Sequence, residues 1–314
     1  MTENLEESDE IVDDRFEILF VYDVEEGNPN GDPLNENRPR IDEETGENIV
    51  TDVRLKRTVR DYFMEKYSGE TPNKVFVRPA EKEDGTLKTR EELVKDEIAG
   101  ENVDFKDENK DEVKEAIFDS FLDLRLFGAT LAVQDMSIGQ IGPVQIKMGR
   151  SLHKVDTRYV QQSVTLPSEG GKETGTFADR YDLPYSLIRF YGIVNENMAG
   201  ETGLTYNDVY KLLDGLWNGT KSLITHSKIE HDPKMLLAVE YSEDSYHIGS
   251  LDKMLDIESD KEDESIRSFS QISLNLKDLK EALEENSGKI EKIHYKSKSS
   301  LDLPDKLEVK ELEL

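Results

Sequence analysis

Residues Arg15–Val24 read RFEILFVYDV, and the density of apolar and aromatic side chains in this run predicts a buried β-strand. A loop rich in Pro, Asn and Gly follows at Asn28–Pro33 (NPNGDP), and Thr51–Lys66 (TDVRLKRTVRDYFMEK) then has the pattern of a helix. Thr51 is a suitable N-cap, and Asp52 places a carboxylate in the first turn, where the helix dipole favours negative charge. This strand–loop–helix unit sets the plan of the fold.

Four further apolar segments extend this plan: strands at Ile141–Met148, Tyr185–Val194 and Met235–Tyr241, and a helix at Thr205–Trp217. Together with the first unit they give the order β, α, β, β, α, β. This is the element order of ferredoxin-like and RNA-recognition domains, so we predict an α+β fold of that type. Three elements follow it in the sequence: a strand at Ser268–Leu276, a helix at Leu276–Glu285 and a strand at Lys289–Tyr295.

Two segments do not fit the plan and are interpreted as insertions. Residues 68–122 alternate turn signals with acidic, Lys-rich stretches, and we expect a short strand at Asn73–Pro79 and an amphipathic helix at Glu112–Leu122. Residues 155–184 have the pattern of a hairpin-like arm with a flexible, Gly-rich portion. Residues 1–14 are polar and acidic, which predicts a flexible N-terminus.

The composition is strongly acidic, with 69 Asp plus Glu against 40 Lys plus Arg and a formal net charge of -29. A surface adapted to concentrated salt and an ordinary acidic protein are both compatible with this balance. There is no Cys, which excludes disulfides, thiol nucleophiles and Cys-rich zinc sites. No apolar run is long enough to span a bilayer and no signal peptide is recognisable, so we expect a cytoplasmic protein.

Basic residues in the Thr51–Lys66 helix depart from this acidic background. On a helical wheel, Leu55, Val59, Tyr62 and Phe63 share one face. The opposite side carries a broad basic arc. Guanidinium and ammonium groups in such an arc suit a phosphate backbone, although a solvated helix face would have the same pattern. The residues of the arc are Arg54, Lys56, Arg57 and Arg60.

Three other features could contribute to a binding site. In the NPNGDP loop, Asn30 offers an amide and Gly31 permits close approach of a ligand. Asp32 could be a metal ligand or a general base, but a turn-forming role is the favoured interpretation. The segment Gly142–Ser151 (GPVQIKMGRS) ends a strand with polar side chains that could hold a sugar-phosphate, or could be a plain strand end. Its candidate contacts are Gln145, Arg150 and Ser151.

Motifs for nucleotide-cofactor, P-loop or serine-hydrolase chemistry are missing from the sequence. The spacing of His226 and His231 is only weak evidence for a metal. We therefore expect no cofactor, no metal site and no enzymatic activity.

Four motifs occur in a specific order: NPNGDP, then DVRLKRTVRDY, then DLRLFGA (Asp123–Ala129), then GPVQ, which ends at Gln145. In this combination the chain resembles the crRNA-binding backbone subunit of type I CRISPR Cascade complexes, a branch of the RAMP superfamily. The resemblance is greatest to type I-B, with type I-C next. It covers about Asn28–Gln145 well and the remainder more weakly.

The resemblance implies a single hand-like domain over residues 15–314. Its palm, a modified RNA-recognition fold, would comprise residues 15–67, 123–154 and 185–314. Residues 68–122 would be the fingers and residues 155–184 the thumb arm.

The resemblance also implies a non-catalytic protein whose copies polymerise head-to-tail along a guide RNA, which then pairs with target DNA. Other partners would be the large subunit, the small subunit, an end-capping RAMP subunit and the crRNA-processing endonuclease. It places Lys56, Arg57 and Arg60 on the RNA-contacting helix, and Arg150 and Ser151 on the palm segment, whereas Arg54 rests on the helical wheel alone.

Two alternatives belong to other functional classes. RAMP relatives in type III complexes cut RNA with an Asp in the loop after the first strand, so a metal-dependent RNA-cleaving nuclease that uses Asp32 is the first alternative. An acidic ferredoxin-like binding protein without RNA is the second.

Overall fold

The strand predicted at Arg15–Val24 lies at the centre of the molecule. The computed structural model describes Leu5 and residues 8–67, 71–98, 109–133, 136–163 and 177–314. In it this strand, β1, extends over Arg15–Gly27. The other strands are β2 (Gly31–Asp32), β3 (Arg38–Pro39), β4 (Glu47–Val50), β5 (Gly128–Val133), β6 (Met136–Ile141), β7 (Val144–Ile146), β8 (Gly149–Lys154), β9 (Arg158–Ser163), β10 (Phe177–Val194), β11 (His231–Tyr241), β12 (Asp256–Glu258), β13 (Ser273–Asn275), β14 (Ile290–Ser297) and β15 (Val309–Glu311).

The helices cover the two faces of the main sheet and build the segment between α1 and β5. They are α1 (Asp52–Lys66), α2 (Arg90–Ile98), α3 (Lys110–Ser120), α4 (Leu122–Phe127), α5 (Glu196–Thr202), α6 (Tyr206–Asp214) and α7 (Lys277–Glu285). A π-helical turn at Gly215–Gly219 directly continues α6, where the sequence predicts an unbroken helix to Trp217. None of the described helices combines the length and the apolar character needed to cross a lipid bilayer.

The main sheet has the order β15-β14-β11-β1-β10-β8-β4, and β7 also pairs with β10. The inner part of this sheet follows the βαββαβ plan. Strand β1 is its first strand, β7 with β8 is its second, β10 is its third and β11 is its fourth. Helices α1 and α6 are the two helices of the plan. The predicted α+β class with a ferredoxin-like core is therefore confirmed. Among the described strands of this sheet, β1 pairs antiparallel with both of its neighbours, and β14 and β15 are the one parallel pair.

Strand β1 is apolar along almost its whole length because both faces of the sheet are covered. Alternate side chains point to opposite faces of a strand. Phe20 and Tyr22 pack with α1 and α6, whereas Leu19 and Val21 pack on the face that carries α7. The helix face predicted at Leu55, Val59 and Phe63 is buried as expected, and Tyr62 is partly buried against it.

Several predicted strands differ from the structure. Asn73–Pro79 forms only an isolated bridge between Lys74 and Phe121, because nearby backbone donors bond to a side chain instead. The segment Ile141–Met148, predicted to be one strand, is interrupted at Gly142. Ile141 ends β6, and a separate strand, β7, begins at Val144. Of the strand predicted at Ser268–Leu276, only Ser273–Asn275 pairs as a strand in the described structure, and Phe269–Gln271 form a 3₁₀ turn instead.

The inserted segment between α1 and β5 has a hydrophobic cluster of its own. Val94 of α2, Ile117 of α3 and Phe121 pack together there, and Val133 of β5 and Ile138 of β6 belong to the same cluster. The β5–β6 hairpin thus packs with the segment that we predict to be the fingers. The boundary at residue 122 stays a prediction.

Strands β9 and β10 form the root of the predicted thumb arm. They pair in antiparallel register from Arg158 with Asp182 to Ser163 with Phe177. The Gly-rich portion for which the sequence predicts flexibility falls within residues 164–176, outside the described residues.

The N-terminal segment is held against α6 over residues 8–14, although its acidic composition predicts flexibility. The amide of Val12 donates to the carbonyl of Leu204 (2.9 Å), and the amide of Tyr206 donates to the carbonyl of Glu10 (3.1 Å). Val12 is also buried. Backbone hydrogen bonds and apolar anchors, which composition does not reveal, order these residues.

Asp14 gives this contact a pH dependence. Burial and the nearby carboxylates of Glu240, Asp13 and Glu291 raise the pKa of Asp14 from 3.8 to about 6. Because the folded state disfavours the ionised form, the stability present at low pH is lost as pH rises through about 6. We expect Asp14→Asn to stabilise the protein by about 1 kcal/mol at neutral pH, after allowance for solvent screening.

Urea unfolding at pH 5 and pH 8 measures this effect. The gain from Asp14→Asn should be larger at pH 8, whereas the exposed Asp305→Asn serves as a control. An equal gain at both pH values would refute the assignment.

Candidate nucleic-acid interface

The NPNGDP loop is docked onto the start of α1 by Asn30. Its amide oxygen accepts from both the backbone amide and the hydroxyl of Thr51, each at 2.9 Å. Thr51 is the N-cap, as predicted, and its hydroxyl accepts from the amide of Arg54. A Cβ on Gly31 would lie 2.8 Å from the backbone carbonyl oxygen of Asn37 and 2.1 Å from its Oδ1, so only glycine fits here. Loop and helix therefore form one continuous surface.

Asp32 shapes the turn in this loop. Its Oδ1 accepts from the amide of Leu34 (3.2 Å) and from the guanidinium of Arg40 (3.3 Å), and its carbonyl accepts from the amides of Asn35 and Asn37. Across the described parts of the chain, no group of three His, Asp or Glu side chains is arranged to hold a metal ion. This geometry agrees with the turn-forming interpretation of Asp32.

Two residues of the predicted basic arc form ion pairs within α1. Lys56 contacts Asp52 at 3.1 Å, and Arg57 contacts Asp61 at 2.7 Å. Arg57 is exposed, whereas Lys56 is half-buried with its ammonium 5.3 Å from the centre of the Phe127 ring. Both pairs are solvent-accessible, so a phosphate can compete with the carboxylates at little cost.

Arg60 has a structural environment that the helical wheel does not predict. Its Nε lies 2.7 Å from Oδ2 of Asp123, which is fully buried. The same carboxylate accepts from the amides of Phe76 and Val77, at 2.7 and 3.1 Å. Arg60 thus joins α1 to the inserted segment, and its guanidinium is committed to a buried acid.

The palm candidates differ in accessibility. Arg150 is partly exposed and bonds to Asp42 and Glu47 at 2.9 and 3.0 Å, and these carboxylates raise its pKa. Gln145 is exposed on β7. Ser151, by contrast, is fully buried: its hydroxyl donates to the carbonyl of His153 (2.6 Å). We assign Ser151 to the packing of the sheet instead of to an exposed surface.

The motifs DLRLFGA and GPVQ meet in space at two glycines. Gly128 has a φ of +77° and ends α4. A Cβ on Gly142 would lie 2.1 Å from the carbonyl carbon of Phe127, and one on Gly128 would lie 2.3 Å from the amide nitrogen of Gly142. The two backbones approach so closely that neither position admits a side chain. This contact accounts for the glycines that the two motifs contain.

Arg54 is the exception in the arc, because no carboxylate of the described residues lies within 4.0 Å of it. Burial lowers its pKa. Lys228, in the loop before β11, is likewise half-buried without an acidic partner in the described structure, and its Nζ donates to Ser227 Oγ (3.2 Å). Burial lowers the pKa of Lys228, and so do the charges of Arg54 and Arg180. We call Arg54, Lys228 and Arg180 the cation cluster.

His231 is a buried neighbour of the cation cluster. Its ring is buried and lies 5.6 Å from that of Tyr22, and its Nε2 finds no hydrogen-bond partner in the described structure. Burial and the charges of Lys228 and Arg54 lower its pKa to about 3, so the imidazole is neutral at physiological pH.

Arg180 reaches the cluster from the root of the arm. It donates to the carbonyl of Glu26 at 3.1 Å, and its Nε lies 3.6 Å from the carboxylate of Asp182. The loop that carries Lys228 is fixed beside the NPNGDP loop, because the amide of Asn28 donates to the carbonyl of Ser227 (2.9 Å). An anion that bound here would neutralise Arg54 and Lys228, which form no ion pair with a carboxylate of the described residues.

The sequence pattern predicts a role for Arg54 but for neither Lys228 nor Arg180. The only local signal was the segment His226–His231 (HSKIEH), interpreted as weak evidence for a metal. In the structure His231 begins β11, and the ring of His226 lies 3.5 Å from the guanidinium of Arg180.

Comparisons with known proteins agree with this architecture. The family model described as "CRISPR-associated protein Cas7" matches residues 14–277. A protein of that description from Haloferax volcanii is 33% identical over 311 residues, which cover 92% of this chain and 88% of the relative.

Solved structures share the fold at low sequence identity. A chain of a "CRISPR RNA-guided surveillance complex, pre-nicking" superposes with a TM-score of 0.58 at 13% identity, covering 95% of this chain and 96% of that one. A chain of a "CRISPR RNA-guided surveillance complex" gives 0.54 at 14% identity, with 96% and 95% covered. The match of the family model over most of the sequence, together with the 33% identical relative, shows that the chain belongs to the CRISPR-associated protein Cas7 family.

Proposed function

We propose that this protein binds the guide RNA of a type I CRISPR interference complex along the surface formed by the NPNGDP loop, α1 and the cation cluster. The observation that carries the proposal is the pair Arg54 and Lys228. In a chain of net charge -29, these two cations are half-buried and have no carboxylate partner among the described residues. Such an arrangement is costly in the free protein and becomes favourable when a phosphate is bound.

Contacts to phosphate and sugar suit this role because they carry no sequence information, and a guide-bearing protein must accept any spacer. The other proposed contacts are Lys56, Arg57 and Arg150, whose partly exposed ion pairs can open toward phosphate, and Asn30, Gly31 and Gln145 on the adjoining surface. Arg60 and Ser151 support this surface from within.

In this proposal, copies of the protein assemble head-to-tail on the guide, which pairs with target DNA. The large, small and end-capping subunits and the crRNA-processing endonuclease are the other partners. We place the protein in the type I-B subtype, in the cytoplasm and without a catalytic role, with residues 68–122 as fingers and 155–184 as the thumb arm. The turn role of Asp32 gives the nuclease alternative no support.

Binding of unrelated RNA sequences tests the proposal. We expect Kd values for several single-stranded RNAs of equal length and unrelated sequence to agree within about threefold, because phosphate contacts dominate. Log affinity should fall with log salt by about 0.7 per phosphate contacted. Fluorescence anisotropy over a salt series measures both quantities. Strong preference for one sequence, or no binding at low salt, would contradict the proposal.

A further inference from the structure

A cleft of about 520 Å³ lies between α1, the start of α2 and β5. Four basic residues line it: Arg57, Arg78, Lys88 and Arg90. Among the residues that the structure describes, the lining of this cleft contains no carboxylate. In a chain with 69 acidic against 40 basic residues, this excess of positive charge is opposite to the general composition.

The acidic partners of these cations lie outside the cleft lining. Arg78 contacts Glu97 at 2.5 Å, and Lys88 contacts Asp96 at 2.8 Å. Within the described residues, no ion pair forms at Arg90, which is exposed at the start of α2. The two ion pairs orient Arg78 and Lys88, and these cations still form a basic wall at the opening of the cleft.

Apolar side chains form the rest of the cleft. Phe76, Leu93 and Leu131 are buried beneath it, and Val77 at its edge is 47% exposed. A basic wall beside an apolar surface matches the two parts of a nucleotide, since phosphate takes charged donors and a base packs on apolar or aromatic groups. The volume lies within the usual range for small-ligand sites, about 300–1,000 Å³.

We propose that this cleft binds a nucleotide of a single-stranded nucleic acid, with its phosphate on Lys88 and Arg90 and its base over Val77. This second site lies beyond the cation cluster. The choice of nucleic acid over an acidic protein segment rests on the proposed function, because Arg57 follows Arg54 by one turn of α1 and connects the two sites. The nucleotide belongs to either the guide RNA or a DNA strand that pairs with it.

The double variant Lys88→Met with Arg90→Met tests the proposal. Its control, Lys82→Met with Lys95→Met, removes equal charge from the same segment, where Lys82 pairs with Glu92 at 2.6 Å outside the cleft lining. Two readouts are taken on purified protein: the amount of bound guide RNA, and the affinity of RNA-loaded protein for complementary single-stranded DNA. We expect one of them to fall about tenfold or more in the cleft variant, as two phosphate contacts are lost.

The two readouts distinguish a nucleotide of the guide RNA from a nucleotide of the DNA strand. Lower RNA content identifies a guide nucleotide, whereas normal RNA content with weaker DNA binding identifies a nucleotide of the DNA strand. If both readouts equal those of the control while wild-type protein binds RNA, the cleft proposal is overturned and the proposed function stands. Loss of association between copies with unchanged nucleic-acid binding would also overturn it, in favour of an acidic protein segment. A wild-type protein that binds no RNA would refute the proposed function itself.

Discussion

Replacing Arg54 and Lys228 together with methionine is expected to lower RNA affinity about 100-fold, because each loses a charge-assisted contact of about 1.5 kcal/mol. Methionine retains much of the apolar stem that packs around each charge. The slope of log affinity against log salt should decrease by about 1.4, since about 0.7 is lost per phosphate contact on a single strand. Fluorescence anisotropy with single-stranded RNA over a salt series measures both effects.

The same variant should leave the free protein at least as stable as the wild type. Burial lowers the pKa values of Arg54 and Lys228, so each charge opposes folding where it stands. Lower RNA affinity combined with an unchanged or higher urea midpoint is a result that a purely structural role would not give.

A charge-matched control is available on the opposite face of the sheet. Lys277 and Lys280 of α7 pair with Glu281 and Asp302, at 3.8 and 2.6 Å, and lie far from α1 across the sheet. Their double replacement with methionine changes the net charge equally and should leave RNA affinity within about threefold. Equal losses in both double variants would mean that net charge, and not the cation cluster, governs binding.

Replacing Arg60 with alanine is expected to destabilise the protein by about 3–5 kcal/mol, because it leaves the carboxylate of Asp123 buried without its cationic partner. Since this acid also holds the amides of Phe76 and Val77, the inserted segment should loosen from α1. Urea unfolding measures the loss, and limited proteolysis within residues 71–98 reports the loosening.

Arg57→Ala is the matched control for Arg60, since its pair with Asp61 is exposed and should contribute less than about 1 kcal/mol. An Arg60→Ala protein with normal stability and weakened RNA binding would instead identify Arg60 as a direct RNA contact. A large loss of stability in Arg60→Ala would mean that any loss of RNA binding in Arg60 variants reflects folding.

Local sequence patterns were sufficient to predict β1 and α1, the elements around which the fold is built. The apolar run of β1 and the N-cap and spacing of α1 depend on neighbouring residues, so the sequence predicted both. The strand at Asn73–Pro79 was predicted wrongly because the amides of Phe76 and Val77 bond to Asp123, a residue distant in sequence. No local pattern contains that information.

The site was predictable only in part for the same reason. Arg54 and Arg60 belong to the same broad basic arc on a helical wheel, yet one forms no ion pair in the described structure and the other bonds to a buried carboxylate. The difference depends on which distant segments pack beside each residue. Lys228 lies in a loop without periodicity, and only the contact between that loop and Asn28 brings it to α1.

Mapping of ultraviolet-induced crosslinks between bound RNA and the protein tests the central claim most directly, because it reads contacts in the wild-type chain. Crosslinked peptides identified by mass spectrometry are expected to concentrate in residues 28–57 and 224–231, which contain the NPNGDP loop, the first half of α1 and Lys228. Crosslinks confined to other parts of the chain, with both of these segments free of RNA, would contradict the account.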